Sequence, residues 1–344
     1  MNRRRSRQNR HVTIEDVARA AGVSRQTVSR AIRNRGEISE ATRERVLRVA
    51  EELGYRPSSI ARGLATQHTQ TLGLVVLDIA NPFFARIARG AGDVAYAHGY
   101  NLFLCNTDED VSREEMAIRS LEEQRVDGIL LCSSRLSDET LQRVAARYYP
   151  LVLVNRTLNN ERVGMVVVDG VLSGKQATQH LLSLGHRIIG FLAGPSTSRS
   201  GQERLTGFRQ ALAAAEIPLD EKLVVETTPD AEGGYTAAKH LLQARPDITA
   251  LIAYNDLVAV GTLQACADLG RRVPEGISIV GFDDVPLASL VTPPLTTVRI
   301  PKYQLGATAV QMLLSMMGGQ PPLPQRIVVE TELIIRGTTG PCLA

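Results

Sequence analysis

Residues 22–32 read GVSRQTVSRAI, and the fold turns on what so polar a segment is doing. Gly22 suits the left-handed residue that ends a helix, and Ser24 is a natural cap for the next one, running to about Ile32. Upstream, TIEDVARAAG has Thr13 as a cap with Asp16 three residues on, and Ile14, Val17, Ala18 and Ala21 along one face. Downstream, Ser39 opens a third helix in SEATRERVLRVAEELGY, with Val46, Leu47, Val49, Ala50 and Leu53 expected on its inward side and Gly54 closing it. Two short helices about a glycine turn make a helix-turn-helix. Ala18, Gly22 and Val28 meet its packing needs, and Val17 and Val23 also turn inward. Arg25, Gln26, Ser29 and Arg30 are then left facing out, where a recognition helix meets base edges. Arginine can grip guanine and glutamine adenine, each such pair discriminating by about 1–3 kcal/mol. The bland alternative is a three-helix bundle with a solvated polar face.

Charge favours the first reading. Residues 1–67 hold 15 Arg and 7 acidic residues, a net of +8, so the other 277 carry 24 basic and 29 acidic residues, a net of −5. A basic module ahead of a mildly acidic one predicts a polyanion partner for the first part alone. The choice of Arg over Lys says nothing, because the whole chain has 35 Arg and 4 Lys. The basic residues of 1–11 read as a disordered tail adding phosphate attraction at most.

At 344 residues the chain exceeds one ordinary core. No run is long enough to cross a membrane, and the basic start has no apolar stretch of a secretory signal, so a cytoplasmic protein is expected. Cys105, Cys132, Cys266 and Cys342 lack metal or redox spacing. No metal and no cofactor are expected.

Residues 56–70, RPSSIARGLATQHTQ, are too poor in apolar side chains to make a core and read as a linker. Beyond them apolar strands alternate with helices, from LGLVVLDI through YNLFLC, GILLC, LVLVN, MVVVD, IIGFLAG, LVVE and TALIAY to ISIVGF. Such runs predict parallel sheets covered on both faces, and their number predicts two lobes. The expected fold is an all-α helix-turn-helix head before an α/β core of two doubly wound parallel-sheet lobes. Its expected bounds are a tail at 1–11, head at 12–56, linker at 57–70 and core at 71–340. The first lobe takes about 71–170 plus 300–327, and the second about 171–299 plus 328–340.

The segment from Thr13 to Val76, with NPFF, RVDGILL, GHRIIGFLAGP, ERLTGF, YNDLVAVG, ISIVGFDD and PPLTTV in that order, closely resembles the lactose-repressor (LacI/GalR) family of regulators. The resemblance covers nearly everything after residue 11. It implies that PSSIARGLA is a hinge helix that folds on DNA and wedges Leu64 into the minor groove, beside Ala61 and Arg62. The candidate DNA contacts are then Thr13, Ser24, Arg25, Gln26, Thr27, Ser29, Arg30, Asn34, Arg62 and Leu64. The implied partners are a palindromic duplex operator, a second copy of the chain and a small effector between two lobes like those of periplasmic sugar-binding proteins. The terminal IIRGTTGPCLA has no leucine heptads of a tetramer, so a homodimer is expected. The helix after NPFF and residues 113–124 are its candidate contact surfaces.

Ligands of open α/β sheets sit beyond the carboxyl ends of the strands. The candidates there are Asn81, Phe83, Phe84, Asn155, Arg156, Asp169, Arg204, Asn255 and Asp283, with Arg199 and Ser200 less central. A sugar needs aromatic faces for its C–H surface and charged or amide groups for its hydroxyls. Phe83 and Phe84 suit the first role and the polar residues the second. Pro229 and Ile300 depart from a ribose-like pattern. A purine or nucleoside effector, or a corepressor, is the alternative; a sugar-binding protein with no DNA role is the reading from another class. Singly, each polar residue could be a helix cap, Asp256 most of all.

Three other patterns fail. GAGDVA (90–95) follows a helix where a dinucleotide fingerprint needs a strand, and GVLSGK (170–175) is one residue short of a phosphate loop. His180, His186 and His240 read as surface or capping groups. No nucleophile–base–orienter series is found, so catalysis is not expected.

Overall fold

The computed structural model describes residues 12–33, 36, 38–55, 68–319 and 321–342. The tail, Asn34, Arg62 and Leu64 lie outside the described residues. Two compact units part at Thr69/Gln70.

In the first unit, helices α1 (Ile14–Ala21), α2 (Arg25–Arg33) and α3 (Glu40–Glu52) pack against one another. A capping box starts α1: the Asp16 amide donates to Thr13 Oγ1 at 3.3 Å, and the Thr13 amide donates to Asp16 Oδ2 at 3.0 Å. Gly22, at φ 64°, ends it in the left-handed region. The core is Val17, Ala18, Ala21, Val28, Ala31, Val46 and Ala50. Leu47 and Leu53 were expected to face inward, but they are 44% and 38% exposed. The inward stripe of α3 is narrower, because two short helices cover only Val46, Val49 and Ala50.

The second unit has two six-stranded sheets. The first orders its strands β11-β5-β4-β3-β1-β2, with β1 (Thr71–Val76), β2 (Asn101–Asn106), β3 (Gly128–Cys132), β4 (Leu151–Val154), β5 (Gly164–Val168) and β11 (Arg326–Val329), paired in parallel throughout. The second runs β12-β10-β9-β8-β6-β7, with β6 (Ile189–Ala193), β7 (Val224–Glu226), β8 (Ala250–Ala253), β9 (Ser278–Asp283), β10 (Thr296–Arg299) and β12 (Glu332–Ile334). Here β12 is antiparallel to β10, a departure from the all-parallel expectation confined to an edge.

The helices of the first lobe are α4 (Pro82–Ala97), α5 (Val111–Glu123), α6 (Asp138–Arg147) and α12 (Lys302–Met316). Those of the second are α7 (Gly170–Ser183), α8 (Arg199–Ala214), α9 (Ala231–Ala244), α10 (Asp256–Asp268) and the short α11 (Pro286–Leu290). Each sheet is covered on both faces by separate apolar clusters. The chain passes between lobes before α7, before α12, and between β11 and β12, so all three crossings lie together at the strand ends.

His186 is not the surface group expected: it is 2% exposed, with Nδ1 at 3.0 Å from Thr249 Oγ1 and Nε2 at 2.9 Å from Ser278 Oγ and 3.1 Å from the Gly340 carbonyl. Asp256 is not the expected cap either. Its carboxylate accepts from Thr297 Oγ1 at 2.6 Å and the Val285 amide at 2.8 Å, tying α10 to the loop after β9. None of the described helices is long and apolar enough to cross a membrane.

Candidate functional site

On the head, Arg25, Gln26 and Arg30 are exposed on α2, opposite the buried Val28 and Ala31. Ser24 and Thr27 are partly engaged in capping: the Thr27 amide donates to Ser24 Oγ at 3.1 Å, and the two hydroxyls lie 2.9 Å apart. Thr13 is exposed, with its hydroxyl donating to Asp16 at 2.7 Å, and Ser29 is half-buried. A fixed helix thus presents two guanidiniums and an amide on one side.

In the core, the loops following the strands converge from both sheets. Asn81, Phe83, Phe84, Glu109, Ser133 and Asn155 come from the first lobe, and Ser200, Arg204, Pro229, Tyr254, Asn255 and Asp283 from the second. Together they enclose a cavity of about 30 Å³. A water needs about 10–15 Å³ on that scale, so the lobes stand closed around less space than a sugar ring fills. Glu109, Ser133, Asn155 and Asp283 hold φ values of 60°, 54°, 55° and 107°. Non-glycine residues there are strained, and such strain gathers where function demands an aimed side chain.

Each wall has its own chemistry. Phe83 and Phe84 meet edge to face, with ring centroids 5.1 Å apart, and both are almost fully buried. Asn81 caps α4, its Oδ1 accepting from the Phe83 amide at 2.9 Å, and Asn255 caps α10, accepting from the Val258 amide at 2.8 Å while donating to the Pro229 carbonyl at 2.9 Å. They are caps that also line the cavity, so neither reading excludes the other. The Asn155 amide reaches Ser133 Oγ at 3.4 Å. Arg204 lies over the Phe282 ring at 4.5 Å, donates to the Tyr254 carbonyl, and meets Asp283 Oδ1 at a long 3.5 Å. Burial pushes the Asp283 carboxyl up to about 6, against the pull of Arg204 and Lys302. Lys302 donates to the backbone carbonyls of Asp283, Asp284 and Ile300, at 2.9 Å and 3.3 Å for the last two, and so fastens the start of α12 to the end of β9.

Residues 13–58 match the model of the bacterial regulatory proteins of the lacI family, and residues 69–335 match that of the periplasmic binding proteins and sugar binding domain of the LacI family. The chain belongs to the LacI family. This LacI-family chain is 35% identical over 327 residues to the ribose operon repressor of Halalkalibacterium halodurans, covering 95% of itself and 97% of that protein. Among solved structures it is similar to the transcriptional regulator CelR–cellobiose complex (36% identity, TM-score 0.72, 95% and 99% covered). It is also similar to the lac repressor dimer bound to operator and an anti-inducer (29% identity, TM-score 0.85, 96% and 100% covered). It is thus a helix-turn-helix transcriptional regulator.

Two expected effector residues of this LacI-family regulator lie elsewhere. Arg156 is buried but turned into its own lobe, donating to the Leu136 carbonyl at 3.2 Å and Asp138 Oδ1 at 2.5 Å. The left-handed turn at Asn155 aims the amide at the cavity and its neighbour away. Asp169 is exposed and caps α7, accepting from the Leu172 amide at 2.8 Å. In the first turn of α8, Ser200 faces the cavity while Arg199 faces solvent and pairs with Glu203 at 3.7 Å. Sequence reasoning missed Glu109, Ser133 and Tyr254, although each follows a strand as closely as the residues it found.

Proposed function

We propose that this chain is a homodimeric repressor whose grip on a palindromic operator is controlled by a sugar held between the two lobes. Arg25, Gln26, Ser29 and Arg30 read the half-site, with Thr13, Ser24, Thr27 and Asn34 toward the backbone. Arg62 and Leu64 of the linker act at its centre. Asn81, Asn155, Arg204, Asn255 and Asp283 take the sugar hydroxyls, and Phe83 and Phe84 take its carbon face. Its role is binding rather than catalysis.

The observation that carries this reading is the convergence of side chains from both sheets on one small cavity. A ligand there touches both lobes at once, so it favours whichever lobe arrangement it fits best, and that preference is the free energy available for regulation. The loose Arg204–Asp283 pair leaves hydrogen-bonding capacity that a diol would complete. The relatives named for ribose and crystallised with cellobiose lend the sugar reading support.

Fluorescence anisotropy on an operator selected from random palindromes provides the test. Arg25→Ala with Gln26→Ala should remove sequence preference while leaving weak, salt-dependent attachment. Arg204→Ala and Asp283→Ala should each retain operator binding but lose its response to the sugar found by thermal-shift screening. Indifference of operator binding to every sugar, in wild type and variants alike, sinks the proposal.

A further inference from the structure

Arg135 takes part in neither the sequence expectation nor the set of side chains facing the cavity. It follows β3, and its side chain is 2% exposed. The guanidinium donates to Glu109 from Nε at 2.7 Å and Nη2 at 3.2 Å. The same Nη2 lies 3.3 Å from the hydroxyl of Tyr254, which belongs to the opposite lobe. That hydroxyl is also 2.9 Å from Ser198 Oγ, at the cap of α8. An unbroken chain of hydrogen bonds, Glu109–Arg135–Tyr254–Ser198, therefore crosses from one lobe to the other.

Glu109 and Tyr254 line the cavity, and Arg135 joins them from behind. The chain is anchored on both sides. The Arg135 amide donates to the buried Glu114 at 3.0 Å, and Gly201 at the start of α8 donates its amide to Ser198 Oγ at 3.2 Å. Glu109 pairs the buried guanidinium and Glu114 holds the backbone that carries it, and breaking the ion pair would strand a charge away from water. This flank of the cavity is tied across the two lobes, whereas Arg204 and Asp283, both of the second lobe, meet only at a long 3.5 Å and can turn onto a ligand.

We infer that Arg135, through Tyr254, sets the size of the effector: the wall admits one sugar ring and blocks a second. The inference rests on the sugar reading above and deepens it. A single ring needs only a slight parting of the lobes, with Arg204 and Asp283 turning onto its hydroxyls and the tie left whole. A disaccharide extending past Glu109 and Tyr254 would have to break the tie, costing Arg135 and the Tyr254 hydroxyl the hydrogen bond they share in a buried site. Arg135 is thus a positioning residue, acting on effector choice through the wall it holds.

The experiment compares wild type, Arg135→Ala and Tyr254→Phe by calorimetric titration with a panel of monosaccharides (ribose, glucose, galactose) and disaccharides (cellobiose, maltose, lactose). Tyr254→Phe keeps the ring and removes only the hydroxyl, so it decides the matter should Arg135→Ala fail to fold. Wild type is expected to bind a monosaccharide and no disaccharide. In the variants disaccharide affinity should rise by about tenfold or more, the equivalent of one hydrogen bond. Disaccharide binding by wild type, or variants that keep its selectivity, overturns the inference while leaving the sugar reading intact. Silence toward every sugar in all three proteins overturns both.

Discussion

At the scale of single residues, Asp283 is the most informative group in the cleft. Its native pKa, about 6, lies above the ordinary carboxyl value of 3.8. The folded chain therefore holds this proton more firmly than the unfolded one. The stability it contributes is fully present below about 3.8 and is lost as pH rises through about 6. His186 works in the opposite sense. Burial lowers its imidazole below 6.5, so stability falls as pH drops below that value and the unfolded chain takes up the proton first. Effector binding should follow the first group, because a protonated Asp283 loses the charge that holds a diol. Affinity measured by titration calorimetry should weaken from pH 7.5 to 5. Asp283→Asn should bind more weakly at pH 7.5 and show a flatter profile; a profile as steep as wild type would assign the titration to another group.

At the scale of elements, glycines decide how closely the helices pair. A Cβ on Gly90 of α4 would overlap the Tyr303 carbonyl of α12, and one on Gly306 of α12 the Ile87 carbonyl of α4. The same reciprocal contact joins α7 to α8 through Gly174 and Gly207, and α9 to α10 through Gly234 and Gly261. This explains the failed motifs: Gly90 of GAGDVA and Gly174 of GVLSGK are helix-crossing residues, as the helical context of the first in the sequence already argued. Gly261→Ala should destabilise the core by about 1–3 kcal/mol or more through overpacking. Gly92→Ala offers the contrast, since its nearest neighbour would be 4.0 Å away. That change should stabilise α4 by roughly 0.5–1 kcal/mol. Urea denaturation of both variants checks the pair, and equal effects would refute the packing argument.

At the scale of the whole molecule, β2 is an edge strand whose Phe103 and Leu104 are 47% and 40% exposed. YNLFLC was expected to behave as a covered strand. Its neighbours add Tyr96 at the end of α4 and Val111 and Met116 on α5, all exposed. An apolar edge of this kind invites association unless a partner covers it, and a second copy is the partner the dimeric reading supplies. Phe103→Glu with Met116→Glu should shift sedimentation toward the monomer and weaken operator binding by about 100-fold or more, as two half-site contacts become independent. A double variant that stays dimeric would move the interface elsewhere.

Local rules sufficed for the head, where Thr13, Gly22, Ser24 and Ser39 cap short helices within a few residues of themselves. They also sufficed for β1, β3, β4, β5, β6, β8 and β9, because a strand buried on both faces must be continuously apolar, whereas β10, β11 and β12 were not read as strands. The placement of the cavity beyond the strand ends followed from topology, and Asn81, Phe83, Phe84, Asn155, Arg204, Asn255 and Asp283 do line it. The distinction between Arg156, turned inward to Asp138, and Arg135, reaching across to Tyr254, was not legible. Both arginines follow buried strands, and their directions depend on backbone turns and on partners more than a hundred residues away in the case of Tyr254. Periodicity records which residues avoid water, whereas the pairing of buried charges is settled only when the lobes meet and each guanidinium must find its oxygen.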